Sequence, residues 1–299
     1  MDMNIGNAPC SWGTIEGVSG QRVGYQQMLD ELAATGYQGT ELGDWGFMPT
    51  DPDELRAELA ARKVQLTGSW VTVRLYDEAS HDQGIENAVR TARLLAEVGG
   101  TEAIINIGDD HGSVPIRHQN AGRIGPEHGL SDEGWQVYVH GAMRVAEAVK
   151  RETGLRSTLH PHGSTFVETP AEIERFLRLT DPELLGICFD TGHYALGGGD
   201  PVAGIRAYRE RIWLVHFKDF DPRVVERAEV EGWNYQEMVG AGVFSELGRG
   251  VVDFPAVLEA LHEIGYRGWG VVEQDVLPGM GSPKESAQRN RSYLQGIGS

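Results

Sequence analysis

Short apolar runs rich in β-branched residues recur along this chain, and helix-like segments separate them. The runs predict eight strands, at residues 4–10, 38–42, 64–73, 103–108, 156–160, 185–190, 212–217 and 269–274. The segments between them repeat apolar residues at the spacing of a helix that packs by one face. Eight such alternations, with strands apolar enough to be buried on both faces, predict an α/β fold: a parallel sheet closed into a (β/α)8 TIM barrel.

Helix starts are well marked in the second half of the sequence. Thr169-Pro170-Ala171-Glu172 and Ser282-Pro283-Lys284-Glu285 each combine an N-cap, a first-turn proline and a glutamate three residues after the cap. A doubly wound open sheet is the alternative, but the first strand lacks a G-x-G-x-x-G turn and the sequence contains no Walker loop. The 299 residues contain no Pro/Ser-rich linker, so we expect one barrel domain over residues 1–299.

The overall charge and the cysteines limit the partners and the compartment. Asp and Glu number 44 against 26 Lys and Arg, a formal net charge of −18, which would repel nucleic acids and anionic membranes. Cys10 and Cys188 are too few for a disulfide scaffold. The amino terminus lacks a basic region, and no apolar stretch reaches the roughly 18 residues that span a bilayer. We therefore expect a cytoplasmic protein.

Two connections are longer than the rest, residues 109–130 after the fourth strand and 218–252 after the seventh. Both follow the carboxyl end of a predicted strand. Active sites of parallel barrels are built at that face, from the connections that follow the strands. We therefore expect these two segments to form the rim of a site.

Side chains that bind metals stand at the ends of the last four predicted strands: His160 and His162, Asp190, His216, and Glu273. In a closed parallel barrel these ends converge on one mouth, so the side chains could surround a single divalent cation. Imidazole and carboxylate together suit Mn²⁺, Co²⁺, Fe²⁺ or Zn²⁺ better than Ca²⁺. Each residue also has a structural interpretation, and Asp190-Thr191-Gly192 could be a turn.

The same strand ends carry a resemblance to a known family. The chain resembles the xylose-isomerase-like superfamily of sugar isomerases and epimerases and, within it, the inosose dehydratases, which act on 2-keto-myo-inositol. The runs that carry the resemblance are Leu159-His160-Pro161-His162-Gly163, Phe189-Asp190-Thr191-Gly192-His193, Val215-His216-Phe217-Lys218-Asp219 and Gly268-Trp269-Gly270-Val271-Val272-Glu273.

The resemblance implies one divalent metal ion, Mn²⁺ or Co²⁺ first, with Zn²⁺, Fe²⁺ or Mg²⁺ as alternatives. The implied ligands are Asp190, His216, Glu273 and the residue that ends strand five. Epimerases of the superfamily usually have glutamate at that last position, whereas this chain has His160. The departure argues against a mechanism with two carboxylates, and it leaves open whether His160 or His162 is the ligand.

The remaining catalytic roles follow from the need to remove a proton from the carbon next to a ketone. A metal ion that holds the ketone and hydroxyl oxygens would stabilise the developing charge, and Glu273 or a histidine would take the proton. His162 or His193 would protonate a β-hydroxyl and release water, because imidazole titrates near neutral pH. Candidate substrate-binding residues are Trp12, Glu41, Trp70 and Lys218.

The predicted function is therefore metal-dependent dehydration of a keto-cyclitol, a small polyhydroxylated ketone. Isomerisation or epimerisation of a free ketose on the same scaffold is the main alternative. A DNA-repair endonuclease shares the barrel but is disfavoured by the net charge of −18. A non-catalytic sugar binder would keep the pocket without turnover. Homo-oligomers are common in the superfamily, so this chain could form a homo-oligomer as well.

Overall fold

Eight parallel strands form a closed barrel in the computed structural model, which describes residues 3–13, 23–277 and 279–298. The predicted fold is confirmed. Around the barrel the strands are ordered β1, β10, β7, β6, β5, β4, β3, β2. Their bounds are β1 Ile5–Asn7, β2 Gly39–Glu41, β3 Gln65–Thr72, β4 Ile104–Gly108, β5 Arg156–Leu159, β6 Leu185–Asp190, β7 Ile212–Phe217 and β10 Gly270–Val272.

Helices follow the strands and cover the outside of the barrel, as buried parallel strands require. The α-helices of the described ranges are α1 Tyr25–Ala34, α2 Pro52–Arg62, α3 His81–Gly99, α4 Pro115–Asn120, α5 Asp132–Thr153, α6 Pro170–Leu179, α7 Thr191–Leu196, α8 Pro201–Tyr208, α9 Pro222–Glu231, α10 Tyr235–Gly240, α11 Phe254–Glu263 and α12 Pro283–Gly296. The two predicted starts are confirmed, since the Thr169 and Ser282 side chains accept hydrogen bonds from the third residue after each. None of the helices in the described part of the chain has the length and apolarity needed to cross a membrane.

Strand residues alternate between two cores. Outward-facing side chains such as Ile105 and Ile107 pack under the helices in the main core. Inside the barrel a smaller cluster includes Ile104, Cys188 and Leu214. The side chains above this inner cluster, at the carboxyl ends of the strands, therefore stand on a closed apolar floor.

The long connection after β7 folds into a cap of its own. It contains the helices α9 and α10 and two short antiparallel strands, β8 Asp219–Phe220 and β9 Phe244–Ser245. Phe220, Tyr235 and Phe244 pack in a separate apolar cluster there. The Asp219 carboxylate ties the connection down, because it accepts hydrogen bonds from the backbone N–H groups of residues 248, 250 and 252 at 2.8–3.1 Å.

Candidate active site and metal centre

Four metal-binding side chains meet at the carboxyl ends of neighbouring strands. His160 directly follows β5, Asp190 ends β6, His216 lies in β7 and Glu273 directly follows β10. The β6–β7 register pairs Asp190 with His216. One donor atom from each of the four lies within 4.8 Å of the others. Barrel closure therefore brings together residues that are up to 113 positions apart in the sequence.

The donor atoms of this four-residue cluster face one another closely. His216 Nδ1 lies 3.1 Å from His160 Nε2 and 3.2 Å from Glu273 Oε1. Asp190 Oδ2 lies 3.7 Å from His160 Nε2 and 3.8 Å from His216 Nδ1. Asp190 Oδ1 accepts a hydrogen bond from the backbone of His193 at 2.8 Å, but the buried Oδ2 has no hydrogen-bond partner among the described residues. Because buried polar atoms normally have a hydrogen-bond partner, a buried carboxylate oxygen without one is a candidate ligand for a cation.

Glu41 sets the orientation of the His216 ring. The distance from His216 Nε2 to Glu41 Oε1 is 2.9 Å, so Nε2–H donates to the carboxylate. The neutral ring then carries its lone pair on Nδ1, the atom that faces the cluster. Ligating histidines typically have such a carboxylate partner on the other nitrogen. The tautomer of His216, together with the short distances between the donor atoms, therefore fits a divalent cation.

The local charge also favours a cation. Burial alone would lower the pKa of His216, but Cys188, Glu273 and Glu41 raise that pKa well above its ordinary value. Burial alone would raise the pKa of Glu273, whereas His216 and Lys218 bring it well below its ordinary value. The neighbouring carboxylates thus favour a second proton on His216, which a bound cation would displace. A divalent ion would supply the same positive charge directly.

Lys218 is a buried cation beside the cluster, and it is only 1% exposed. Its Nζ lies 2.9 Å from Glu273 Oε2, 3.5 Å from Asp275 Oδ2 and 3.1 Å from His193 Nε2. Gly192 makes room for it, since a Cβ at that position would lie 2.7 Å from Lys218 Cγ. The Asp190-Thr191-Gly192 run is therefore the start of α7, packed against Lys218, and not an isolated turn.

An open cleft lies above these groups. Its walls are Ala8, Pro9, Cys10, Glu41, Gly43, Asp44, Trp70, His111, His160, His162, Lys218, Glu273 and Asp275. His111 stacks on His162 with the ring centroids 5.1 Å apart, and the Trp70 ring meets His162 edge-on at 5.7 Å. His162 Nδ1 lies 2.7 Å from the Gly163 carbonyl oxygen, so Nδ1 carries the proton and Nε2 keeps its lone pair.

The comparisons with known proteins agree with this architecture. Residues 29–296 match the family model described as the xylose isomerase-like TIM barrel. The chain belongs to this family. A relative from Geobacillus kaustophilus (strain HTA426), named inosose dehydratase, is 33% identical over 292 residues, which cover 97% of this chain and 93% of the relative. At that similarity the chain is an enzyme.

Two solved structures share the fold of this xylose isomerase-like barrel. The IOLI protein with a bound zinc atom is 15% identical, with a TM-score of 0.73 and coverage of 99% of this chain and 98% of the other. The 3-keto-D-glucoside 4-epimerase YcjR from E. coli is 18% identical, with a TM-score of 0.70 and coverage of 99% and 100%. Both likenesses concern the fold alone.

Not every residue that the sequence singles out reaches the cleft of this family member. Trp12 is 1% exposed in the core, and its Nε1 donates to Glu31 Oε2 at 2.8 Å, so its position does not support a substrate contact. His193 lies behind the cleft, with its ring centroid 3.8 Å from that of His162. His193 Nδ1 accepts a hydrogen bond from the Gly163 backbone at 3.2 Å. Its position suits a support for His162 and Lys218 better than a group that touches substrate.

Sequence reasoning also missed residues that line the cleft, among them His111, Asp275, Asp44 and Cys10. Asp275 could have been found, because it is two residues after Glu273 and successive odd positions of an extended segment share one face. His111 follows β4 within the connection predicted to form the rim, but the spacing of that segment gave no signal. Its place depends on contacts between two loops.

Proposed function

We propose that this enzyme uses a divalent metal ion to dehydrate a keto-cyclitol of the 2-keto-myo-inositol type. The 33% identity to a relative named inosose dehydratase supports the substrate class. The observation that carries the proposal is the placement of His162. It lines the same cleft as His160 and Glu273, and its Nδ1 contact with Gly163 leaves Nε2 as a proton acceptor.

His160, Asp190, His216 and Glu273 would hold the ion, with Glu41 orienting His216. This choice selects His160, rather than His162, as the strand-five ligand. When bound, a divalent ion supplies Lewis-acid stabilisation of the negative charge that develops on the ketone oxygen. Glu273 is then better suited to hold the ion than to act as the base, because its Oε1 faces His216 and its Oε2 is paired with Lys218.

His162 Nε2 would take the proton from the carbon next to the ketone. Among the described residues none hydrogen-bonds to Nε2, and burial first, then His111 and His160, lower the pKa of His162 well below its ordinary value. The ring is therefore neutral at pH 7 and free to accept a proton. His193 and His111 pack on its two sides and would hold the ring in one orientation.

Lys218 would assist the departure of the β-hydroxyl. Burial alone would lower its pKa, but Asp275, Glu273 and Asp190 raise that pKa well above its ordinary value, so the amine is an ammonium ion. It lines the cleft and can donate a hydrogen bond to the leaving oxygen. The proton that His162 removes from carbon passes to the departing hydroxyl, which leaves as water. The enol that remains converts to the diketone.

The Trp70 ring lines the cleft beside His111 and His162, and would give it an aromatic wall for a six-membered ring. Trp70 is held by a hydrogen bond from its Nε1 to Thr72 Oγ1 at 2.8 Å. The alternative, epimerisation by two opposed carboxylates, is less well supported. His160 occupies the position after β5, and Lys218 pairs with the Glu273 carboxylate after β10.

The test is product analysis with purified enzyme. Metal-depleted protein is given Mn²⁺ or Co²⁺ and then 2-keto-myo-inositol or a panel of free ketoses. We expect an elimination product from the cyclitol, detected by its ultraviolet absorbance and by NMR, and loss of turnover when the metal is chelated. Epimerised sugars without elimination would contradict the proposal.

A pair of histidine variants tests the proposed base. His162→Gln should lose turnover by about 10²- to 10⁴-fold, the usual contribution of a general base, while Mn²⁺ binding persists. His140 lies on the exposed face of α5, and His140→Gln serves as the matched control with unchanged turnover. Full activity of His162→Gln would remove His162 from the mechanism.

A further inference from the structure

The thiol of Cys188 lies inside the barrel, one step below the four-residue cluster. Cys188 and Asp190 are two residues apart on β6, so their side chains face the same side of the sheet. Cys188 is fully buried and packs with Ile104, Leu214 and Val271 in the inner apolar cluster. Its sulfur lies within 4.8 Å of a ring nitrogen of His160 and of His216.

His160 and His216 are shared by two sets of donors. With Asp190 and Glu273 they form the four-residue cluster, and with Cys188 they form a second group in which one donor atom of each residue lies within 4.8 Å of the others. The Glu273 carboxylate of the first set lines the cleft, whereas the Cys188 sulfur lies in the apolar cluster inside the barrel. The two imidazoles therefore have both hard oxygen donors and one soft sulfur donor within reach.

The two sets differ in the cation that they prefer. Carboxylate oxygens suit Mn²⁺ and Mg²⁺, whereas thiolate together with imidazole suits Zn²⁺ and other thiophilic ions such as Cd²⁺. A sulfur–metal bond needs the thiolate, so binding there releases the thiol proton to solvent. Because both sets need the same two rings, one ion excludes the other.

We propose that His160, Cys188 and His216 form a second, deeper site for a thiophilic divalent cation, and that its occupation excludes the ion of the four-residue cluster. The proposal rests on the proposed function only for the statement that the upper ion is the productive one. The cleft would then discriminate between metals by depth, with hard ions held at the substrate and soft ions drawn away from it.

The probe is Cd²⁺, added to metal-depleted full-length protein without substrate. Binding at a thiolate produces a sulfur-to-cadmium charge-transfer band in the ultraviolet, whatever reaction the enzyme catalyses. Cys10 is the second of the two cysteines in the chain and lines the cleft, so Cys10→Ser is the matched control. We expect the band in the wild-type protein and in Cys10→Ser, and its loss in Cys188→Ser.

Competition completes the test. Mn²⁺ in excess should diminish the band of the wild-type protein, because both ions need His160 and His216. The Asp190→Asn variant should keep the band and lose Mn²⁺ affinity, which separates the two donor sets and shows that the fold survives. A band that persists in Cys188→Ser, or that is lost in Cys10→Ser, would overturn the proposal. So would Cd²⁺ binding to the wild-type protein without any band.

Discussion

Glu168 joins the two loops that frame the proposed base. Its carboxylate is 1% exposed and accepts hydrogen bonds from the backbone of Gly122 at 2.6 Å and of Ser164 at 2.8 Å. Gly122 belongs to the connection after β4 that carries His111. Ser164 lies two residues after His162 and has a φ of 74°, a strained value for a residue other than glycine. Glu168 therefore holds a strained loop against its neighbour.

Burial makes the ionised form of Glu168 unfavourable. Burial raises the pKa of Glu168 from 4.5 to about 7, although Arg117 and the two backbone N–H groups oppose the rise. A change of one pKa unit corresponds to about 1.4 kcal/mol, so the rise amounts to roughly 3 kcal/mol. Because the folded protein holds this proton more tightly than the unfolded chain, the stabilisation is fully present below pH 4.5. It is lost as the pH rises through about 7.

Glu168→Gln removes this dependence while keeping the shape of the side chain. We expect the free energy of unfolding of the wild-type protein, minus that of the variant, to fall by roughly 3 kcal/mol between pH 4.5 and pH 8. Urea unfolding of both metal-depleted proteins across that range measures the difference, in which the other titrating groups cancel. Glu183→Gln, at an exposed position, controls for the loss of one charge. A difference that stays constant or grows with pH would refute the reasoning.

Substitutions at four further positions separate the roles assigned above. Glu41→Gln should weaken Mn²⁺ binding by about 10- to 100-fold, because an uncharged amide that can also donate replaces the carboxylate that fixes the tautomer of His216 and raises its basicity, and an unchanged Kd in calorimetry would contradict this. Gly108→Ala should destabilise the fold by about 1–3 kcal/mol in urea unfolding and raise KM, since its methyl group would overlap the Trp70 ring. Lys218→Met should lower turnover in the steady-state assay by about 10²-fold or more, with partial recovery in Lys218→Arg, and equal activity of the two variants would count against a hydrogen-bond donor at this position. Trp12→Phe should cost about 1 kcal/mol of stability through its lost bond to Glu31 and leave kcat and KM unchanged, whereas a large rise in KM would restore Trp12 as a substrate contact.

The sequence by itself predicts the barrel and the four strand ends that carry the cluster. Strand and helix periods, caps and turn residues are local properties, so Thr169 and Ser282 mark helix starts that the structure confirms. Parallel strands in a closed barrel must present their carboxyl ends at one mouth, which makes the convergence of Asp190, His216 and Glu273 a consequence of topology.

Tertiary structure alone decides what each of these side chains touches. His160 and His162 follow the same strand two residues apart, yet one joins the cluster and the other turns its Nδ1 to the Gly163 carbonyl. Glu41 reaches His216 across 175 positions of sequence, and Trp12 turns to Glu31 in the core instead of the cleft. Such contacts depend on barrel curvature, strand register and the packing of distant loops, and a pattern of neighbouring residues does not encode these directly.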